Sequence, residues 1–75
     1  MSDYKARIQI DPAIMAGKPV IRGTRIPVDR ILAELGHGVG ETELLVMYPR
    51  LTAEDIRAAQ LYAAAILSNQ EVLAH

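Results

Sequence analysis

The first third of the chain has the hydrophobic pattern of short β-strands separated by turns. Residues 7–10 read RIQI, and this alternation of polar and apolar side chains predicts a strand with one buried face. A second extended run is predicted at residues 19–22, which read PVIR. Residues that favour turns interrupt the chain at 11–12, 16–19 and 23–25. We therefore expect a small β element within residues 7–27.

After Pro27 the spacing of apolar residues changes to that of helices. One helix is predicted over residues 28–35, with an apolar face formed by Val28, Ile31, Leu32 and Leu35. Gly36 is the expected C-terminal cap of this helix. A second helix is predicted over residues 41–48, and Pro49 ends it because proline cannot continue a helix. The buried face of the second helix is expected to consist of Leu44, Leu45 and Tyr48.

The third helix has the clearest start in the sequence. Thr52 is the predicted N-cap, and Asp55 lies three residues later, where its side chain can bond back to the cap. Leu51 and Ile56 occupy the two positions of a hydrophobic staple. The helix is expected to continue to about Ser68. Its predicted inner face consists of Ile56, Ala59, Ala63 and Ile66.

The composition indicates one small, mainly helical domain. Hydrophobic residues make up 51% of the 75 residues, but Phe and Trp are absent, so the core must be small and aliphatic. A domain of this size buries only about 60% of its extended-chain surface, so a partner that covers apolar surface would stabilise it. The predicted single domain, residues 1–75, consists of a β/turn segment (7–27), a helix-turn-helix (28–48), a C-terminal helix (52–68) and a tail (69–75).

Several classes of protein and of site are excluded by residue content. The chain has no Cys, which excludes disulfides and thiolate zinc sites, and it lacks the apolar run that a membrane span needs. We expect a cytoplasmic protein. The two histidines, His37 and His75, are too few for a metal site, and residues 17–19 lack the spacing of a phosphate-binding loop. We expect no cofactor and no enzymatic activity.

Charge is distributed unevenly along the chain. Residues 1–30 carry six cations against three acids, whereas residues 31–75 carry two cations against six acids. The overall net charge is only −1. A basic first half and an acidic second half suit two different partners. In the alternative, the charges only form an ordinary mixed surface.

Two helices joined by a glycine turn over residues 28–48 have the layout of a helix-turn-helix. The residues expected to contact DNA are Lys18, Arg22, Thr24, Arg25 and Thr42. The cations frame a glycine bend from which donors can reach phosphates. One observation counts against DNA binding: the acids Glu41 and Glu43 begin the second helix, where they repel phosphates. In the alternative, the glycines serve turn geometry and the arginines pair with Asp11 or Asp29.

The chain resembles a known family in two sequence blocks. They are GKPVIRGTRIPV at residues 17–28 and YPRLTAEDI at residues 48–56. In this order they closely resemble the bacterial family called domain of unknown function 433, and the similarity extends over about residues 7–67. The resemblance implies a homeodomain-like or winged helix-turn-helix preceded by a small β element. One departure concerns Gly40, which stands where relatives often have Ser or Thr as the N-cap of the second helix, and glycine is only slightly weaker there.

The same resemblance implies a function and partners. Such proteins look like VapB-type antitoxins of type II toxin–antitoxin pairs. They neutralise a PIN-like ribonuclease toxin, tend to form homodimers, and repress their own operon by binding operator DNA. The alternatives are a stand-alone helix-turn-helix regulator and a protein–protein interaction module without DNA binding.

The C-terminal half of the chain carries the expected toxin-binding residues, which are Arg57, Leu61, Leu67, Val72 and Leu73. The apolar members exceed what one helix face needs for packing within the domain, so we expect some of them to contact another chain. Antitoxins often insert a basic residue into the acidic nuclease site, and Arg57 is the only cation after Arg50. In the alternative, Arg57 pairs with Glu54 on its own helix.

Overall fold

The computed structural model of the protein describes residues 4–69. Its strands and helices are β1 (Ile8–Gln9), β2 (Val20–Ile21), α1 (Val28–Gly36), α2 (Glu41–Met47) and α3 (Ala53–Ser68). Short 3-10 turns at Tyr4–Arg7 and Met15–Gly17 lie on either side of β1. The predicted class is confirmed: three helices follow a short N-terminal β element. Within the described range, every helix is too short or too polar to cross a membrane.

The two strands form a minimal antiparallel pair. Ile8 lies opposite Ile21, and Gln9 lies opposite Val20. The chain then turns back, so that Pro27 forms a bridge with Val20 and leads directly into α1. The β element therefore fixes where the first helix begins.

The strand predicted over residues 7–10 is shorter than expected at both ends. Arg7 belongs to the preceding 3-10 turn, and the side chain of Ile10 is 59% exposed. The next turn begins at once, because the Ile14 N–H donates to the Asp11 carbonyl at 2.8 Å. Alternation predicted the strand but not its length, since a strand ends where its partner ends.

The cap at the end of α1 differs from the prediction. Gly36 is the last helical residue, and Gly38 has a φ of +95°. The Gly38 N–H donates to the Leu35 carbonyl and the Val39 N–H to the Glu34 carbonyl, each at 3.0 Å. This is the hydrogen-bond pattern of a Schellman cap. The prediction for Gly36 was wrong because two nearby glycines satisfy the same sequence rule and only the hydrogen bonds distinguish them.

α2 matches its predicted segment except at the last residue. The helix ends at Met47, and Tyr48 is its C-cap. Leu44 is fully buried, and Leu45 and Tyr48 are half-buried against the core, as expected. Gly40 is the N-cap and supplies no side-chain hydrogen bond.

The predicted start of α3 is confirmed in detail. The Asp55 N–H donates to Thr52 Oγ1 at 3.1 Å, and the Thr52 N–H donates to Asp55 Oδ2 at 3.0 Å. This reciprocal pair is a capping box. Leu51 and Ile56, the two staple residues, are 5% and 2% exposed.

Asp55 also has a role that the sequence did not reveal. Its Oδ1 accepts a hydrogen bond from Arg7 Nη1 at 3.1 Å, and its side chain is only 9% exposed. The Arg7 side chain is 41% exposed. One carboxylate therefore caps α3 and also attaches the N-terminal turn to it.

The first half of α3 is packed against the domain and the second half is not. Ile56, Ala58 and Ala59 are buried, whereas Ile66 is 41% exposed. Ala63 is half-buried. The predicted inner face is correct at Ile56 and Ala59 but wrong at Ile66. The helical stripe does continue to Ile66, but there it borders an open groove instead of a packed neighbour.

One aliphatic core joins all five elements, as the composition predicted. Its buried members are Ile8, Ile21, Val28, Ile31, Leu44, Leu51, Ile56, Ala58 and Ala59. Tyr4, Tyr48 and Tyr62 pack at its edge. The alanines allow α3 to approach its neighbours closely, because their side chains occupy little space.

Candidate interaction surfaces

Lys18, the first cation of the predicted DNA-binding set, is paired on the surface. Its Nζ lies 2.9 Å from Oδ2 of Asp29, in the first turn of α1. The hydrogen bond from Lys18 lowers the pKa of Asp29 below its ordinary value. Both side chains are more than half exposed, so water and salt screen the pair. The partner of Asp29 is thus a lysine and not one of the arginines.

Arg22 connects the β element to the N-terminal turn. Its Nε donates to the Ala6 carbonyl at 2.7 Å, and its Nη2 donates to the Ile8 carbonyl at 3.1 Å. Its main-chain N–H also donates to the Arg7 carbonyl at 2.8 Å. A DNA contact by Arg22 would therefore compete with hydrogen bonds that hold the fold together.

Thr24 stabilises the bend after β2. Its hydroxyl donates to the Ile21 carbonyl at 2.7 Å and accepts from the Ile26 N–H at 3.0 Å. Gly23 precedes it with a φ of +80°, a conformation that favours glycine. Both hydrogen-bonding functions of this hydroxyl are used within the bend, so the predicted DNA contact would have to displace one of them.

Two arginines meet at a notch between this bend and the turn after α2. We name it the arginine notch, a groove of about 400 Å³ lined by Thr24, Arg25, Ile26, Met47, Tyr48, Pro49 and Arg50. Arg50 Nη2 donates to the Gly23 carbonyl at 3.1 Å. Across residues 4–69, no carboxylate lies within ion-pair distance of Arg25 or Arg50. The notch is therefore positively charged and not neutralised from within the described part of the chain.

Of the two arginines in the notch, the sequence indicated Arg25 but not Arg50. The two residues are far apart in the chain, and only the packing of the bend against the end of α2 brings them together. A signal was available, since each of the two sequence blocks that carry the resemblance supplies one of these arginines.

Thr42 lies in the first turn of α2 and is exposed. Glu41 and Glu43, on either side of it, are exposed as well. The predicted recognition helix therefore presents one hydroxyl between two acids, a surface that disfavours the approach of phosphates.

A second opening, with an almost wholly apolar lining, lies between α1 and the second half of α3. We name it the α1–α3 groove, with a volume of about 320 Å³, lined by Lys18, Pro19, Val28, Asp29, Leu32, Tyr62, Ala63, Ile66 and Leu67. Leu67 is 60% exposed at its edge. The groove is apolar except for the Lys18–Asp29 pair.

The predicted toxin-binding residues are divided between two faces of α3. Leu67 borders the α1–α3 groove, whereas Arg57 and Leu61 line a smaller hollow beside the N-terminal turn. Arg57 Nη2 lies 3.9 Å from Glu54 Oε2, a long and exposed pair that matches the alternative interpretation of this arginine. Val72 and Leu73 lie outside the described residues.

Over residues 4–69, no three His, Asp or Glu side chains are arranged to hold a metal ion. His37 is exposed in the turn after α1. The absence of enzymatic activity stays a prediction.

A family model described as a protein of unknown function, DUF433, matches residues 8–63. The chain belongs to the DUF433 family. The match extends over the β element, α1, α2 and most of α3, and it confirms the resemblance inferred from the two sequence blocks.

Relatives of this DUF433 chain agree with the assignment. It is 44% identical over 54 residues to the uncharacterized protein y4eO of Sinorhizobium fredii, covering 72% of this chain and 24% of the relative. It is 65% identical over 23 residues to an uncharacterized protein of Archaeoglobus fulgidus, covering 31% of this chain and 64% of the relative. The chain therefore spans about a quarter of the length of y4eO.

A solved structure supports the fold of this DUF433 chain. The crystal structure of a DUF433 member from Anabaena variabilis matches it with a TM-score of 0.77 and 43% sequence identity. The match covers 84% of this chain and 62% of that chain. The arrangement of strands and helices described above is thus similar to that of a relative solved by crystallography.

Proposed function

We propose that this chain is the antitoxin of a type II toxin–antitoxin pair and neutralises a PIN-like ribonuclease by binding it directly. The observation that carries the proposal is the α1–α3 groove together with the exposed end of α3. Ile66 and Leu67 are 41% and 60% exposed there. A contiguous apolar opening on so small a domain favours a protein partner, because burying it removes apolar surface from water.

The mechanism of neutralisation is steric. The second half of α3 lies against the ribonuclease and blocks the path of RNA to its acidic, metal-dependent site. Arg57, the one cation on this helix, lines the hollow around Leu61 and not the α1–α3 groove, so it is available to the partner that covers that hollow. Its pair with Glu54 is long and exposed. Such a pair contributes little to folding, so a carboxylate of the partner can replace Glu54 at small cost.

Homodimerisation belongs to the same proposal. Leu61 is 50% exposed on a different face of α3 from Leu67, beside Tyr4 and Arg7. Two separate faces allow a second copy of the chain and a ribonuclease to bind together. We assign the larger α1–α3 groove to the ribonuclease.

The test first isolates the protein together with its natural partner and then reconstitutes the complex from the two purified chains. The tagged protein is purified from its native host, and the intact mass of the accompanying chain identifies its gene. The two purified chains are then mixed, and cleavage of a labelled RNA is followed at increasing antitoxin concentration. We expect a stable complex in which cleavage stops at a fixed ratio of the chains. A homodimer that captures no ribonuclease, or a complex that still cleaves RNA, contradicts the proposal.

Repression of the operon is the second part of the proposed function, and we assign DNA binding to the complex. Lys18 is paired with Asp29, Arg22 is bonded to main-chain carbonyls, and the net charge is −1. Affinity for DNA depends on unpaired cations that neutralise phosphates.

The corresponding prediction concerns the promoter of the chain's own gene. At physiological salt the isolated protein is expected to leave a labelled promoter duplex unshifted in a gel, whereas the complex with ribonuclease shifts it. A promoter shift by the isolated protein, with an affinity that falls steeply as salt rises, would instead support the stand-alone regulator. If neither sample binds DNA, the interaction module without DNA binding is correct.

A further inference from the structure

We propose that the arginine notch binds an acidic peptide segment, a carboxylate flanked by apolar side chains, on the surface of a partner protein. The inference rests on the proposed function, because it names a second contact on a protein partner. It concerns a different part of the domain from the α1–α3 groove, since the two openings share no lining residue.

The positive charge of the arginine notch favours a carboxylate as the group that binds there. Arg25 is exposed and makes no ion pair within residues 4–69, and Arg50 uses Nη2 for the Gly23 carbonyl. Each guanidinium carries five N–H donors in a planar fork, so donors remain on both side chains. That fork matches the two oxygens of a carboxylate.

The apolar lining of the notch favours a peptide in which apolar side chains flank that carboxylate. Ile26, Met47, Tyr48 and Pro49 supply most of the lining, and Met47 is 44% exposed. Apolar walls lower the local dielectric constant, which strengthens an ion pair formed between them. A bare anion would leave these walls in water, whereas a peptide with apolar side chains beside the acid covers them.

The same lining disfavours nucleic acid as the occupant. DNA is bound by several unpaired cations along its backbone and read by polar side chains such as Asn and Gln. The notch has two cations and no amide side chain. The acidic peptide therefore fits its chemistry better.

The notch exists before any ligand binds. The Thr24 hydroxyl holds the bend through two hydrogen bonds, and Arg50 connects this bend to the turn after α2. A site that is already ordered loses less conformational entropy on binding.

The test uses the purified ¹⁵N-labelled protein without any ribonuclease. Two peptides, acetyl-LELEL-amide and the matched neutral acetyl-LQLQL-amide, are titrated while amide resonances are followed by NMR. We expect the acidic peptide to shift the amides of residues 23–27 and 47–51 and to bind about tenfold or more tightly than the neutral peptide. Arg25→Ala is expected to remove most of this preference.

The control is Arg30→Ala, which removes an equal charge from an exposed position on α1 outside the notch. We expect this variant to bind the acidic peptide as the unmodified protein does. Any of three results would overturn the inference. The two peptides could bind with equal affinity, the Arg25 and Arg30 variants could lose affinity for the acidic peptide equally, or the peptide could shift only amides outside residues 23–27 and 47–51.

The same NMR experiment distinguishes peptide binding at the notch from DNA binding at the notch and from ribonuclease binding at the α1–α3 groove. If a short DNA duplex shifts the notch amides and the acidic peptide does not, the site binds nucleic acid and the inference is wrong. Because no ribonuclease is present, failure here leaves the binding of a ribonuclease to the α1–α3 groove unaffected. Conversely, peptide binding at the notch stands even if no ribonuclease binds the groove.

Discussion

Asp55→Ala is expected to lower the free energy of unfolding by about 2–3 kcal/mol. The substitution removes the acceptor for the Thr52 N–H at 3.0 Å and the acceptor for Arg7 at 3.1 Å. Leaving the Thr52 N–H without its acceptor costs about 1 kcal/mol, and loss of the partner of a half-buried arginine adds about 1–2 kcal/mol. The two losses combine because one carboxylate serves both.

The effect is large relative to the stability of so small a domain. Folded domains have about 0.05–0.15 kcal/mol of stability per residue, which gives about 4–11 kcal/mol for a chain of this length. The measurement is urea denaturation followed by circular dichroism. Glu54→Ala is the matched control, because it removes a neighbouring acid that is 54% exposed and 3.9 Å from its partner.

We expect the Glu54 variant to unfold within about 0.5 kcal/mol of the unmodified protein. Asp55→Asn should lie between the two, since the amide oxygen can still accept one hydrogen bond but carries no charge. If the alanine variants at positions 54 and 55 have the same stability, the attachment of Arg7 to α3 contributes nothing.

Leu67→Asp is expected to weaken binding of the ribonuclease by about a hundredfold or more. Burying a leucine contributes about 1.5–3 kcal/mol, and a carboxylate placed against apolar surface adds a desolvation cost. Leu67 is 60% exposed in the isolated domain, so the substitution should leave the fold intact. Calorimetric titration of the purified ribonuclease measures the loss.

Val46→Asp provides the control for this experiment. Val46 is 76% exposed on α2 and does not line the α1–α3 groove, so the same change of an exposed aliphatic residue to an acid tests the location of the contact. We expect binding to be unchanged in this variant. If Leu67→Asp binds as tightly as the unmodified protein, the groove is not the ribonuclease surface. Equal loss in both variants would indicate a general effect of added negative charge.

The candidate sites were only partly predictable from the sequence. The number and position of the cations in the first half of the chain predicted contacts with DNA. In the folded domain, however, Lys18 pairs with Asp29 and Arg22 donates to main-chain carbonyls. Charge in a sequence does not reveal which carbonyl or carboxylate lies beside it after folding. The notch formed by Arg25 and Arg50 depends on a contact between segments that are distant in the chain.

Local signals in the sequence determined the three helices, the capping box at Thr52 and the aliphatic character of the core. These features depend on residues within one or two turns of each other, so they can be inferred without knowing the fold. The tertiary structure alone decided the length of β1, the second role of Asp55, and the two openings on the surface. Each of these depends on which distant segments pack together and on where the 66 described residues leave apolar surface uncovered.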